Sequence, residues 1–143
     1  MNRDVSGGLS SVCRRYGIDA LYAFGSRGPE VARLVRFGQS LTDQTTSDVD
    51  IGVLSQPGRS LDPRAKVRLM AELEDVLGVG RVDLVSLPEA PPFLAVEIIR
   101  GELVYDADPD RAAEYELLVL RRAADLIPFE RERVRDVLAG VAV

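Results

Sequence analysis

Asp48 and Asp50 stand two residues apart in Asp48-Val49-Asp50-Ile51-Gly52-Val53, where apolar residues alternate with the carboxylates and glycine. A period of two belongs to a strand, and residues two apart leave the same face of its sheet. Asp83 lies in a later segment of the same kind, Val82-Asp83-Leu84-Val85, with apolar neighbours that point the other way. On adjoining strands three such carboxylates converge at ~5–7 Å. At an effective dielectric near 20 each ionised pair then repels by about 3 kcal/mol, gross. A divalent cation relieves that repulsion, and an oxygen-only ligand set with room for phosphate oxygens and water favours Mg²⁺ or Mn²⁺ over zinc. A second feature follows directly on the apolar run Leu21-Tyr22-Ala23-Phe24. There Gly25 lets backbone amides approach an oxyanion closely, and Ser26 adds a hydroxyl donor for a phosphate. Arg27 has the reach to pair with a phosphate bidentately, although an exposed arginine is the commoner role for such a residue. Together these residues describe a phosphate cradle opposite a metal site.

The elements that must position them are legible in outline. Leu9, Val12, Cys13 and Tyr16 repeat at helical spacing before Gly17, which predicts a short amphipathic helix from about Ser10. A strand over Ala20 to Phe24 ends at Gly25-Ser26. Residues 27 to 47 form a long mixed segment with one or two helical turns around Val31, Leu34, Val35 and Phe37, followed by the polar loop Thr42 to Ser47. The strand carrying Asp50 stops at Gln56-Pro57-Gly58. Asp62-Pro63 opens a helix with an acceptor at the cap and proline at the first helical position, and Val67, Met70, Leu73 and Leu77 give it an apolar stripe. A third strand is expected over Val82 to Leu87, a short helix over Pro91 to Arg100 and a fourth strand over Leu103 to Tyr105. Asp110 to Ile127 reads as a longer helix with Ala113, Leu117, Leu120 and Ala124 on its core face, broken by Pro128 before a final helix to Leu138. The expected fold is α/β (α+β), a small mixed sheet with flanking helices. One domain over residues 1–143 accounts for the chain, with an insert at about 28–46 and C-terminal helices at about 110–140.

Composition removes several classes of function. With 143 residues, 46% hydrophobic and 29% charged, the chain has the balance of one globular domain able to bury a core without cross-links. It has no histidine, so the usual neutral-pH base and the usual zinc ligand are missing. Cys13 is alone, which excludes an internal disulfide and fits a reducing compartment. A formal charge of −5 argues against direct nucleic-acid binding or an anionic membrane. Met1 to Tyr16 lacks an apolar run of signal-peptide length, and no 18 consecutive residues are apolar, so a cytoplasmic location is expected. Arg121, Arg122, Arg131, Arg133 and Arg135 alternate with Glu130, Glu132 and Asp136 near the C-terminus, the pattern of a solvated helix face.

Gly25-Ser26, then Asp48-Val49-Asp50 opening a strand, then Asp83 on a following strand resembles the nucleotidyltransferase superfamily of the DNA polymerase β type. The small size is similar to that of the minimal nucleotidyltransferases, and the segment from Glu97 through Gly101 to Asp106 is similar to the MntA-like adenylyltransferase antitoxins. The resemblance covers roughly residues 15 to 127. It implies a polymerase β-like fold, with Asp48, Asp50 and Asp83 as catalytic metal ligands and Asp83 able to take a proton from the acceptor hydroxyl. It implies that Gly25 and Ser26 contact the phosphates of ATP, and that AMP passes to a hydroxyl of a cognate HEPN-type toxin protein. Pyrophosphate would leave in line, with no covalent enzyme intermediate. Two alternatives remain open at this point: a non-catalytic antitoxin acting by binding alone, and nucleotidyl transfer to a small molecule such as an aminoglycoside. A homo-oligomer or a hetero-complex is equally compatible with the residues. The chain departs from the resemblance in its spacer, since 21 residues (27 to 47) separate Ser26 from Asp48. That segment is expected to be either a lid or partner-binding element, with Arg33 and Arg36 available to it, or a surface insertion whose Val31, Leu34 and Phe37 extend the core.

Overall fold

The computed structural model describes residues 4–41 and 48–140, which fold into helices on both faces of one four-stranded sheet. In chain order these are α1 (Val5–Tyr16), β1 (Ile18–Phe24), α2 (Gly28–Phe37), β2 (Val49–Ser55), α3 (Pro63–Leu77), β3 (Val82–Ser86), α4 (Pro92–Ile99), β4 (Glu102–Asp106) and α5 (Pro109–Leu138), with a single 3₁₀ turn at Leu87–Glu89. The strand order is β3-β2-β1-β4. β1 pairs antiparallel with both β2 and β4, whereas β2 and β3 run parallel with α3 as their crossover. The sheet is therefore mixed, as expected from the sequence.

Local chemistry explains the boundaries. Asp4 caps α1 by accepting from the Gly7 amide at 3.0 Å, and Gly17 closes it in the left-handed conformation at φ 66°. The helix thus starts five residues before Ser10; the pair Gly7-Gly8, poor in helix propensity, hides its first turn. Asp62 caps α3 through the Ala65 amide at 2.7 Å with Pro63 at its first position, as the sequence indicates. α2 is nearly three turns long rather than one or two, and Val31 and Leu34 are buried in it. This part of the insert extends the core, although Phe37 is exposed rather than buried. The expected loop at Thr42 to Ser47 lies outside the described residues.

Two apolar layers sandwich the sheet. Leu9, Val12 and Cys13 of α1, Val31 of α2 and Leu69, Leu73 and Leu77 of α3 pack on Leu21, Ala23, Val49, Ile51 and Val53. On the other face Ala95 and Ile98 of α4 and Ala112 and Val119 of α5 pack on Ala20, Tyr22, Phe24 and Leu54. Burial pushes the Cys13 thiol up to about 12, so it is an inert part of the first layer.

Three expectations about the helices are corrected. In α3 the buried stripe runs through Leu69, Leu73 and Leu77, and Val67 is exposed. In α5 the buried residues are Ala112, Val119 and Ala123, whereas Ala113, Leu117, Leu120 and Ala124 face outward. The helix carries two apolar stripes, and the one that packs on α4 and the sheet has the smaller side chains, with Val119 between its alanines where the outward stripe has Leu117 and Leu120. Pro128 does not break the helix: α5 is continuous through it, because only the amide bond back toward Ala124 is lost and the exposed carbonyl there meets water. Among the described residues no helix is long and apolar enough to cross a membrane.

Candidate active site

The parallel pairing of β2 and β3 puts Asp50 opposite Asp83, in register. Both lie on the sheet face covered by α4 and α5, at the end of the strands that those helices leave open. The start of each strand is pinned from nearby. The Val82 amide donates to Glu74 Oε2 at 3.1 Å, so the last turn of α3 fixes the position of Asp83. The Val49 amide donates to the Arg81 carbonyl at 3.1 Å, which holds Asp48 and Asp50 at the mouth of the sheet.

Gly25 closes the opposite side. It follows β1 directly, and Phe24 pairs with Asp50 across the β1–β2 ladder. At φ 73° its backbone is left-handed, and a Cβ there would stand 2.4 Å from Asp50 Oδ2. Only glycine combines that conformation with so close an approach of loop and carboxylate. Ser26 is exposed beside it, and α2 begins two residues later, with its N-terminal amides at the same edge. Arg27 is placed differently from the exposed arginine expected. It is buried, with Nη2 3.8 Å from Glu30 Oε2 in the first turn of α2.

The charges are unevenly compensated. Asp48 Oδ2 lies 3.5 Å from Arg81 Nε, an exposed cation that sequence reading did not single out. Asp50 is held above its ordinary value by its burial and then by the negative charges of Asp83, Asp48 and Glu97. Glu97 is an addition that strand periodicity could not supply. It projects from α4, and only the docking of that helix on the sheet brings it near Asp50. Gly52 permits that docking, since a Cβ there would lie 2.4 Å from Ile98 Cγ2.

The site thus gathers Asp48, Asp50, Asp83 and Glu97 around one edge, facing the Gly25-Ser26 loop. Among the described residues no three carboxylates are drawn together tightly enough to hold an ion as they stand. The donor set nevertheless fits a hard divalent cation: every donor is a carboxylate oxygen, and Asp50 carries the unrelieved repulsion that an ion would remove.

Comparisons with known proteins show what the chain resembles. The family model of polymerase beta nucleotidyltransferases matches residues 8–110. No curated protein matches the chain. Among solved structures, a mutant of the MntA-HpeT toxin-antitoxin matches with a TM-score of 0.70 at 19% identity, covering 93% of this chain and 98% of that one. A toxin-antitoxin with AMP-PNP gives 0.68 at 20% identity over 93% and 98% of the two chains. The structure of a tri-AMPylated Shewanella oneidensis HEPN toxin in complex with MNT antitoxin gives 0.67 at 19% identity over 96% and 99%. At such identities the likeness is one of fold. With the family match spanning Gly25, Asp48, Asp50 and Asp83, the chain belongs to the polymerase beta nucleotidyltransferase family.

Proposed function

We propose that this nucleotidyltransferase transfers AMP from ATP to a protein hydroxyl, and that it serves as the antitoxin that silences a HEPN-type toxin in this way. The observation that carries the reading is the in-register pair Asp50 and Asp83 facing the glycine loop. The fold-level likeness to a toxin-antitoxin solved with AMP-PNP and to a complex of MNT antitoxin with a tri-AMPylated HEPN toxin supports the nucleotide and the class of acceptor.

Asp48, Asp50 and Asp83 are the residues that would hold Mg²⁺ or Mn²⁺, which when bound supplies charge neutralisation at the phosphates and at the attacking and departing oxygens. The backbone at Gly25 and the Ser26 hydroxyl orient the triphosphate, with Arg27 next in the chain to add charge at its phosphates. Asp83, a carboxylate at the open end of β3, accepts the proton of the acceptor hydroxyl. The hydroxyl oxygen then forms its bond to the α-phosphorus as the bond from that phosphorus to the bridging oxygen breaks, and pyrophosphate leaves. No histidine and no covalent intermediate enter this scheme.

The test is transfer of label from α-³²P-ATP with Mg²⁺ to the product of the adjacent gene. Labelling is expected with the parent protein and is expected to fall by at least ~10²-fold in Asp48→Ala/Asp50→Ala. A tight complex that silences the partner without labelling it, and does so equally with the double variant, would replace this reading with neutralisation by binding alone.

A further inference from the structure

The outward stripe of α5 has a regularity that the nucleotidyl-transfer site leaves unexplained. Ala113, Leu117, Leu120, Ala124, Ile127, Arg131, Val134 and Leu138 follow one another at alternating intervals of four and three, over 26 residues. That spacing is a heptad seam, with Leu117, Ala124, Arg131 and Leu138 as its a positions and Ala113, Leu120, Ile127 and Val134 as its d positions. All eight are exposed, and the leucines, isoleucine and valine among them are 39–83% accessible. The buried stripe of the same helix, through Ala112, Val119 and Ala123, anchors its first half to the domain and borders the seam along Ala123 and the half-buried Glu116.

The residues beside the seam state which occupant it fits. In a parallel pair of helices each g residue faces the e residue five positions later on its partner. The g positions here are Glu116, Ala123, Glu130 and Val137, and the e positions are Glu114, Arg121, Pro128 and Arg135. A second copy in register therefore sets Glu116 against Arg121 and Glu130 against Arg135, each twice by symmetry, and sets no like charges opposite one another at these positions. The single charged seam residue, Arg131, faces its own counterpart in this register, and the Glu130 of each copy flanks that layer and offsets the like charge. Glu130 is paired in the free chain with Arg133 of its own helix, an exposed contact that an intermolecular arginine can replace. We infer that α5 is a dimerisation helix, through which two copies of this chain associate as a parallel, in-register two-stranded coiled coil. The association is independent of the transfer chemistry, since the seam runs along the outside of α5, away from Asp50.

Sedimentation velocity and light scattering of the full chain decide the matter. The parent protein is expected at twice its 15.6 kDa mass, and Leu120→Asp/Ile127→Asp at one copy with an unchanged thermal melt of the domain. Glu116→Arg/Glu130→Arg and Arg121→Glu/Arg135→Glu should each be monomeric alone and should form a one-to-one dimer when mixed. Ala124→Cys, an a position, should cross-link to itself on mild oxidation, because Cys13 is buried and the two a residues of a layer face each other. A parent chain that stays monomeric at tens of micromolar overturns the inference, as does a dimer indifferent to Leu120→Asp/Ile127→Asp. Association that appears only when a helical toxin is added assigns the seam to that partner instead. A seam-dependent dimer that fails to cross-link through position 124 overturns the parallel register.

Discussion

Asp50 concentrates the chemistry of the site at a single carboxyl, and its environment has a measurable consequence for stability. Burial and the neighbouring Asp83, Asp48 and Glu97 raise its proton affinity in the folded state. The unfolded chain therefore releases that proton at lower pH than the folded one does. Between the ordinary value of 3.8 and the raised one, the folded state binds more protons, and stability falls as pH rises through that window. Above it the destabilisation is fully present. Asp50→Asn is accordingly expected to unfold at a higher temperature than the parent at pH 7 without added metal, while losing transfer activity. The advantage should shrink as pH falls through the window, because protonation then does for Asp50 what the amide does. Urea unfolding of both proteins between pH 3.5 and 7 checks the sign, and a variant less stable at neutral pH would mean that the carboxylate has a partner that stabilises it. Gly25 belongs to the same residue-scale logic. Its left-handed backbone and the carboxylate 2.4 Å from a would-be Cβ leave no space for a side chain, so the loop and Asp50 fit each other as a pair.

At the scale of elements, the depth at which α4 sits on the sheet determines whether Glu97 belongs to the site. Gly52 sets that depth, because Ile98 is fully buried against it and its Cγ2 occupies the place of a side chain. Gly52→Val should push α4 outward, costing about 2 kcal/mol through overpacking of a tight contact. It should also lower the transfer rate without touching a carboxylate, by moving Glu97 and widening the mouth of the site. Denaturant titration together with steady-state transfer tests both halves of that expectation. A stability loss with an unchanged rate would show that the position of α4 does not matter to the chemistry. The insert between Ser26 and Asp48 is likewise an element-scale feature. Its first part, α2, packs Val31 and Leu34 into the core and ties itself to β4 through Arg36, whose Nη1 lies 3.2 Å from Glu102 Oε2.

At the scale of the whole molecule, a half-buried ion pair joins the beginning of the sheet to the last helix. Arg111, in the first turn of α5, donates from Nε to Asp19 Oδ2 at 3.2 Å and from Nη2 to the Ser55 carbonyl at 3.2 Å. Asp19 is buried beside it on β1. Removing only the cation strands a buried carboxylate, so Arg111→Met should cost about 3 kcal/mol. The loss is expected as a shift of one cooperative unfolding transition, because the pair spans elements that are distant in the chain. Asp19→Asn/Arg111→Met should recover much of it. A small effect of Arg111→Met alone would mean that water reaches Asp19 readily in the variant. Of all this, the sequence by itself determined what depends on local periodicity and residue chemistry: the strand carrying Asp50 with Asp48 at its entry, the cap at Asp62-Pro63, the glycine turn after β1 and the strand carrying Asp83. Those features arise from interactions between residues a few positions apart, which any reading of neighbours captures. The tertiary structure alone decided which stripe of α5 packs, that Val67 faces outward and Arg27 inward, and that Glu97 and Arg81 join the carboxylates. Each of these depends on how deeply one element seats against another, a quantity fixed by side-chain volumes brought together from remote parts of the chain and invisible to periodicity.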